Sequence, residues 1–237
     1  MQTPPLVKEP IIEAVIEARF SGDARVEYWR GQYQQKIRGE YSKMYVPRVA
    51  LSTPSATALL HYRFFNESET HFVAIAPNSL AYGSTQYPGW QAFRQEFLKH
   101  WNAVEGELQP TILTRLGMRF TNSFQSEAVG ETTENLDALA QIRFEQPYLR
   151  VLETKPAFHQ SVTSFKRGEH QIVVNVLLQE NGAELQIGYD LAVMNVAPNE
   201  TPRIIDELHT ALEAEFFGSI AEDLAQGLKP LEGGRTE

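Results

Sequence analysis

Two stretches of this chain alternate like strands and put charged side chains at chemically useful spacing. In "PIIEAVIEARF" (10–20), Glu13, Val15, Glu17 and Arg19 share a face. In "TRLGMRFTNSF" (114–124), Arg115, Gly117, Arg119 and Thr121 do the same. Two guanidiniums four residues apart on one strand can grip a carboxylate or phosphate through their planar forks. They can equally meet the glutamates of a neighbouring strand and fix register. Such cross-strand pairs contribute little when exposed. Gly117, between the arginines, would let another backbone or a ligand approach closely. A third stretch, "ELQIGYDLAV", carries Asp190 on the same face as Gln186 and Gly188, within reach of Arg115 or Arg119 if the strands are neighbours. Glu13 and Glu17 form a carboxylate pair of the kind glycosidases and divalent-cation sites use. Two carboxylates on one strand are too common to specify either.

Other chemistries find less support. The chain has no cysteine, which excludes disulfides, thiolate metal sites and a cysteine nucleophile. Its six histidines, His61, His71, His100, His159, His170 and His209, never fall at H-x-x-x-H or H-E-x-x-H spacing, so no metal site is assigned. There is no G-x-S-x-G or S-x-x-K nucleophile motif and no phosphate-binding glycine loop, so neither a catalytic residue nor a cofactor is assigned. A basic stretch at 26–50 contains Tyr28, Trp29, Tyr33, Tyr41 and Tyr45, which could stack on bases. Trp29, Tyr33, Ile37 and Tyr41, however, form the stripe a helix there needs for its core, so nucleic-acid binding through 26–50 is a minor alternative.

The elements that must position these residues repeat at a spacing of about one hundred. "PIIEAVIEARF" and "PTILTRLGMRF" both begin with Pro and end with Arg-Phe. After the first come the aromatic-striped helix and the strands "TALLHYRFF" and "HFVAIA" around the turn "NESET". The short strand "SLAYGS" follows, and then a helix starting at Trp90 with Phe93, Phe97, Leu98 and Trp101 on one face. After the second come a short helix in "TTENLDALAQI" and a hairpin of "HQSVTSF" and "QIVVNVLLQ" around "KRGEH". An Asn181-Gly182 turn, the strand "ELQIGYDLAVM" and a late helix complete it. Thr201 is expected to be the N-cap of that helix, with Pro202 at its first position and Ile205, Leu208, Leu212 and Phe216 inward. Each half reads β-α-β-β-β-α. The expected fold is α+β: a single domain over 1–237 of two pseudo-repeats, about 10–105 and 110–228, with antiparallel sheet covered by helices on one face and a disordered tail at 229–237. The order resembles the duplicated saddle of the TATA-binding-protein type, a likeness of fold that carries no function. Two independent small domains are the alternative.

The totals bound the answer further. The 237 residues allow one large domain or two small ones. Net charge is −9, which argues against general nucleic-acid binding. Residues 1–100 hold 11 basic and 9 acidic residues, so the acidity lies in the second half. "MQTPPLVKEP" has no apolar core of a signal peptide, and no apolar run approaches the roughly 20 residues that span a bilayer. The expected location is the cytoplasm.

"KEPIIEAVIEARF", "ILTRLGMRFTNSF", "IGYDLAV" and "IIDELHTALEAEFFGSI", taken in order, resemble a bacterial family described as sporadically distributed and uncharacterised, over nearly the whole chain. The resemblance implies a bacterial cytosolic protein of unassigned activity, with a hint of defence or toxin–antitoxin cargo. It also implies family positions at Arg119, Phe120 and Asn122, at Asp190, and at Leu208 and His209, none with a known role. The resulting expectation is a non-enzymatic module binding a protein partner, with homo-oligomerisation left open and no membrane partner. Its candidate ligand- or partner-binding residues are Glu13, Glu17, Arg115, Arg119, Asn122, Asp190 and His209. The alternative is an enzyme or small-ligand binder using the Arg/Asp/Glu face.

Overall fold

The computed structural model describes residues 10–46, 62–125, 159–179 and 184–219. Within them the chain runs β1 (Ile11–Phe20), α1 (Arg25–Ile37), β2 (Lys43–Tyr45), β3 (Tyr62–Phe65), β4 (His71–Ala76), β5 (Ser79–Ser84) and α2 (Trp90–Leu108). It continues with β6 (Leu113–Gln125), β7 (His159–Arg167), β8 (His170–Gln179) and β9 (Glu184–Val196). A 3-10 turn (Pro198–Glu200) then leads into α3 (Thr201–Ser219). The nine strands form one antiparallel sheet in the order β2-β3-β4-β5-β1-β6-β9-β8-β7. The expected class, α+β with antiparallel sheet and helices on one face, is what the described residues show. The sheet is continuous: β1 and β6 lie side by side at its centre, with Glu17 opposite Gly117 and Val15 opposite Arg119.

Strand alternation sorts the side chains. On one face Ala14, Ile16 and Ala18 of β1 lie beside Phe120, Met118 and Leu116 of β6, all buried. Tyr82 and Leu80 of β5 and Tyr189 and Leu191 of β9 continue this apolar layer. The helices cover it. Phe93 of α2 meets Tyr82 and Phe120, and Phe216 of α3 meets Tyr189 and Phe124. Trp29, Tyr33 and Ile37 make the buried stripe of α1, joined by Tyr41 just past its end. Each such fully buried large side chain contributes roughly 1.5–3 kcal/mol relative to exposure.

The structure departs from expectation in three places. The three-residue β2 adds a strand before β3; it is too short to show a period, and its pairing with β3 defines it. Helix α3 does not begin at an N-cap threonine. The 3-10 turn that Pro198 opens runs directly into it, Thr201 is already helical (φ −47°, ψ −48°), and its Oγ1 donates to the Pro198 carbonyl at 2.7 Å. The β7–β8 loop is a two-residue turn with Gly168 at φ 59°, the left-handed position a II′-type hairpin gives to glycine. The helix expected in "TTENLDALAQI", the Asn181-Gly182 turn, the start of "TALLHYRFF" and the 229–237 tail lie outside the described residues.

Candidate functional site

Nothing helical packs on the other face of the sheet among the described residues, and there the charged side chains of the central strands meet. Strand register places Arg19 of β1 directly opposite Arg115 of β6, a juxtaposition of like charges. Both side chains turn away from it. Arg19 Nε donates to Glu17 Oε2 at 2.8 Å, along its own strand. Arg115 leans the other way, over Gly117, and its Nη1 donates to the same Glu17 oxygen at 3.1 Å. Its Nη2 donates to Asp190 of β9. The guanidinium therefore lies between β1 and β9, above the position where β6 has no side chain. A Cβ on Gly117 would stand 2.6 Å from the Arg115 Cζ and 2.7 Å from its Nη2. Gly117 is the space that makes this three-way contact.

Arg119 is opposite Asp190 in register, yet its Nη2 donates to Glu13 Oε2 on β1 at 2.8 Å. The pairing is diagonal, because Thr121 rather than Arg119 is opposite Glu13. Arg115 is the more enclosed of the two, 16% exposed against 48%. Farther along the same face, Ser123 and Gln186 donate to Glu184 at 2.6 and 2.8 Å and hold its carboxyl below the usual range, the Gln186 bond most of all.

The structure thus brings Glu13, Glu17, Arg115, Arg119 and Asp190 together and leaves Asn122 and His209 apart. Asn122 points to the helix-covered side, buried, with Nδ2 donating to the Ile187 carbonyl at 3.5 Å. His209 of α3 stacks on Trp90 of α2 (centroids 4.1 Å apart, planes at 14°) and meets the edge of Phe120. Burial holds its imidazole below the ordinary value, against Glu213 and Asp206. Leu208 beside it is core. These two candidates belong to the packing between helices and sheet.

Two features had no clear sequence signal. The first is Arg63 of β3, on the charged face, whose guanidinium stands 5.4 Å from the Phe72 ring centroid. Phe72 itself lies across Gly83, filling the place of a β-carbon there. The second is a buried polar cluster between α1 and α2. The Tyr33 hydroxyl and His100 Nδ1 are 2.5 Å apart, and His100 Nε2 lies 3.2 Å from Glu96 Oε1. Tyr41 also donates to Glu96, at 3.0 Å, and Lys99 does so at 2.9 Å. His100 thus bridges the two, with Nδ1 toward the Tyr33 hydroxyl and Nε2 toward the Glu96 carboxylate. The His100 and Lys99 bonds hold the Glu96 carboxyl down to about 2 despite its burial, and burial pushes the Tyr33 and Tyr41 hydroxyls upward. Periodicity marks Tyr33 and Tyr41 as core, but the partner from α2 is visible only in three dimensions.

The basic stretch at 26–50 is partly engaged, with Lys36 and Arg38 exposed and Arg48 outside the described residues. Trp29, Tyr33 and Tyr41 are buried, Arg30 lies 3.5 Å over the Tyr62 ring and pairs with Glu27, and Lys43 pairs with Glu69 at 3.0 Å. Tyr28 and Tyr45 remain exposed. No protein-family model matches the chain, and no curated protein matches it.

Proposed function

We propose that this protein is a non-enzymatic binding module, that the sheet face on which no helix packs among the described residues receives a protein partner, and that its two halves are copies of one unit. The mirrored strand order on either side of the β1–β6 pair, β5-β4-β3 and β9-β8-β7, supports the second statement. The first is carried by one observation: a band of internally paired charges crosses the open face among the exposed apolar side chains Ile12, Val162 and Met194. An ion-paired centre with apolar groups around it is desolvated at less cost than isolated charges, and mixed composition of this kind is normal for non-obligate interfaces. The face is also large enough. From β3 to β7 is seven steps in the strand order, or roughly 34 Å at about 4.8 Å per step. The strands run from 4 residues in β3 to 13 in β6 and β9, and at about 3.4 Å per residue they provide the roughly 800 Å² per partner of a standard interface.

The test is co-purification from native lysate with the full chain and with a Val162→Asp/Met194→Asp variant. One partner retained by the parent and lost by the variant, at equal melting temperature, supports the reading. Equal recovery by both chains refutes it.

A further inference from the structure

We infer that Arg63 receives an anionic group on this face, and that the group is a carboxylate side chain of an acidic partner segment. This rests on the open face being a docking surface. A cavity of about 210 Å³ lies between β3 and β6, and four guanidiniums, Arg19, Arg63, Arg115 and Arg119, face three carboxylates, Glu13, Glu17 and Asp190, around it. Three of the four are engaged: Arg19 and Arg115 with Glu17, Arg115 also with Asp190, and Arg119 with Glu13. Among the described residues Arg63 has no carboxylate partner. The pair of arginines that looks like a clamp in the sequence is paired with carboxylates, and the guanidinium without one among the described residues is on a different strand.

The surroundings of Arg63 suit a ligand. Ala74 and Ala81 follow it in register across β4 and β5, so only methyl groups stand between Arg63 and Glu17. Phe72 flanks the head group, and its ring is itself seated on Gly83. A cation beside an aromatic ring is steadied without using its hydrogen-bond donors, which leaves the fork free for a bidentate acceptor. At about 30 Å³ per water molecule, the cavity holds the volume of roughly seven waters, room for a carboxylate on a short aliphatic stem. Charge selects the carboxylate over phosphate. One negative charge balances the single surplus guanidinium, whereas a dianion would also face Glu17 across the cavity.

The experiment uses the full chain labelled with ¹⁵N, following arginine Nε–Hε resonances during titration with acetyl-Ala-Glu-Ala-Glu-Ala-amide, its Gln counterpart and inorganic phosphate. The Arg63 resonance is expected to move with the Glu peptide and stay with the Gln peptide. Arg63→Gln should weaken the Glu peptide about tenfold, the worth of one charge-assisted hydrogen bond, and Arg63→Lys should fall between. Equal binding of the Gln peptide, tighter binding of phosphate, or an unchanged affinity in Arg63→Gln overturns the assignment. The two readings fail separately. If Arg63→Gln is silent while Val162→Asp/Met194→Asp abolishes partner capture, the docking face stands and the anion site falls. If Arg63→Gln weakens the peptide while partner capture ignores both variants, the anion site stands alone.

Discussion

Replacing Gly117 with Ala adds one methyl group where the Arg115 guanidinium lies. No backbone penalty is expected, because Gly117 is not among the positive-φ glycines. The new Cβ would sit 2.6 Å from Arg115 Cζ, closer than real β-carbons come to any neighbour, so the guanidinium must shift, and the expected shift carries it off the strand. Leaving breaks its bonds to Glu17 and Asp190. Arg115 and Glu17 are 16% and 18% exposed, so the bonds are half-shielded rather than solvated. Charge-assisted bonds in that setting are worth about 1 kcal/mol each, about 2 kcal/mol together. Alanine returns about 0.5 kcal/mol by restricting the unfolded chain. The expected net loss is about 1.5 kcal/mol, seen as a melting temperature about 3–6 °C lower at the usual scale for a chain of this size. Urea melts of the parent, Gly117→Ala, Arg115→Ala and the double variant complete the cycle. With Arg115 removed, Gly117→Ala should become neutral or slightly stabilising, a coupling of about 2 kcal/mol. An equal loss from Gly117→Ala in both backgrounds would refute the arrangement of Arg115 over Gly117.

Three further outcomes follow from the same reasoning. Gly83→Ala should expel the Phe72 ring from its seat and cost about 1–3 kcal/mol, measured by thermal melting, with a Phe72→Leu background reducing the cost. The Glu96 carboxyl is held near 2 against an ordinary 4.5, so its stabilisation is complete above about 4.5 and is lost as pH falls toward 2. Acid titration of stability should therefore be flatter by about 3 kcal/mol over that window in Glu96→Gln than in the parent. His209 is the opposite kind of group: burial lowers its value from 6.5, so protonation favours the unfolded chain and stability falls as pH drops below about 6.5. His209→Phe, which keeps a ring against Trp90, should remove that component, and identical pH–stability curves above pH 5 would contradict it.

The central ion pairs are readable from the sequence because each strand obeys a period of two and the similar openings at 10 and 110 suggest strands lying side by side. Alternation assigns a face to Glu17 and Arg115; it does not tell where a long side chain leans. That Arg115 crosses Gly117 to reach both neighbours depends on Arg19 standing opposite it, a matter of register. Asn122 and His209 are candidates only through the family resemblance, and their positions in the strand and helix periods put both on the buried side. A lone arginine in a short strand has no pattern, so the sequence does not single out Arg63. The members of the Glu96–His100 cluster come from two helices and the segment after the first, so no spacing joins them. The turn begun by Pro198 is too short to show a period, so the sequence offers Thr201 as a cap.

The position of β1 has a consequence for how the chain comes to be folded. Its inner edge pairs with β5 and its other edge with β6, where Ile11 lies opposite Asn122. Of the described strands β1 is made earliest, and its neighbours on both sides are made much later. Until β6 arrives, one edge of β1 is an open template of unpaired amides, the kind of edge that recruits another chain. Long-range pairings of this type also close slowly. During synthesis, of the described strands, the one that later forms the middle of the sheet waits longest for a partner.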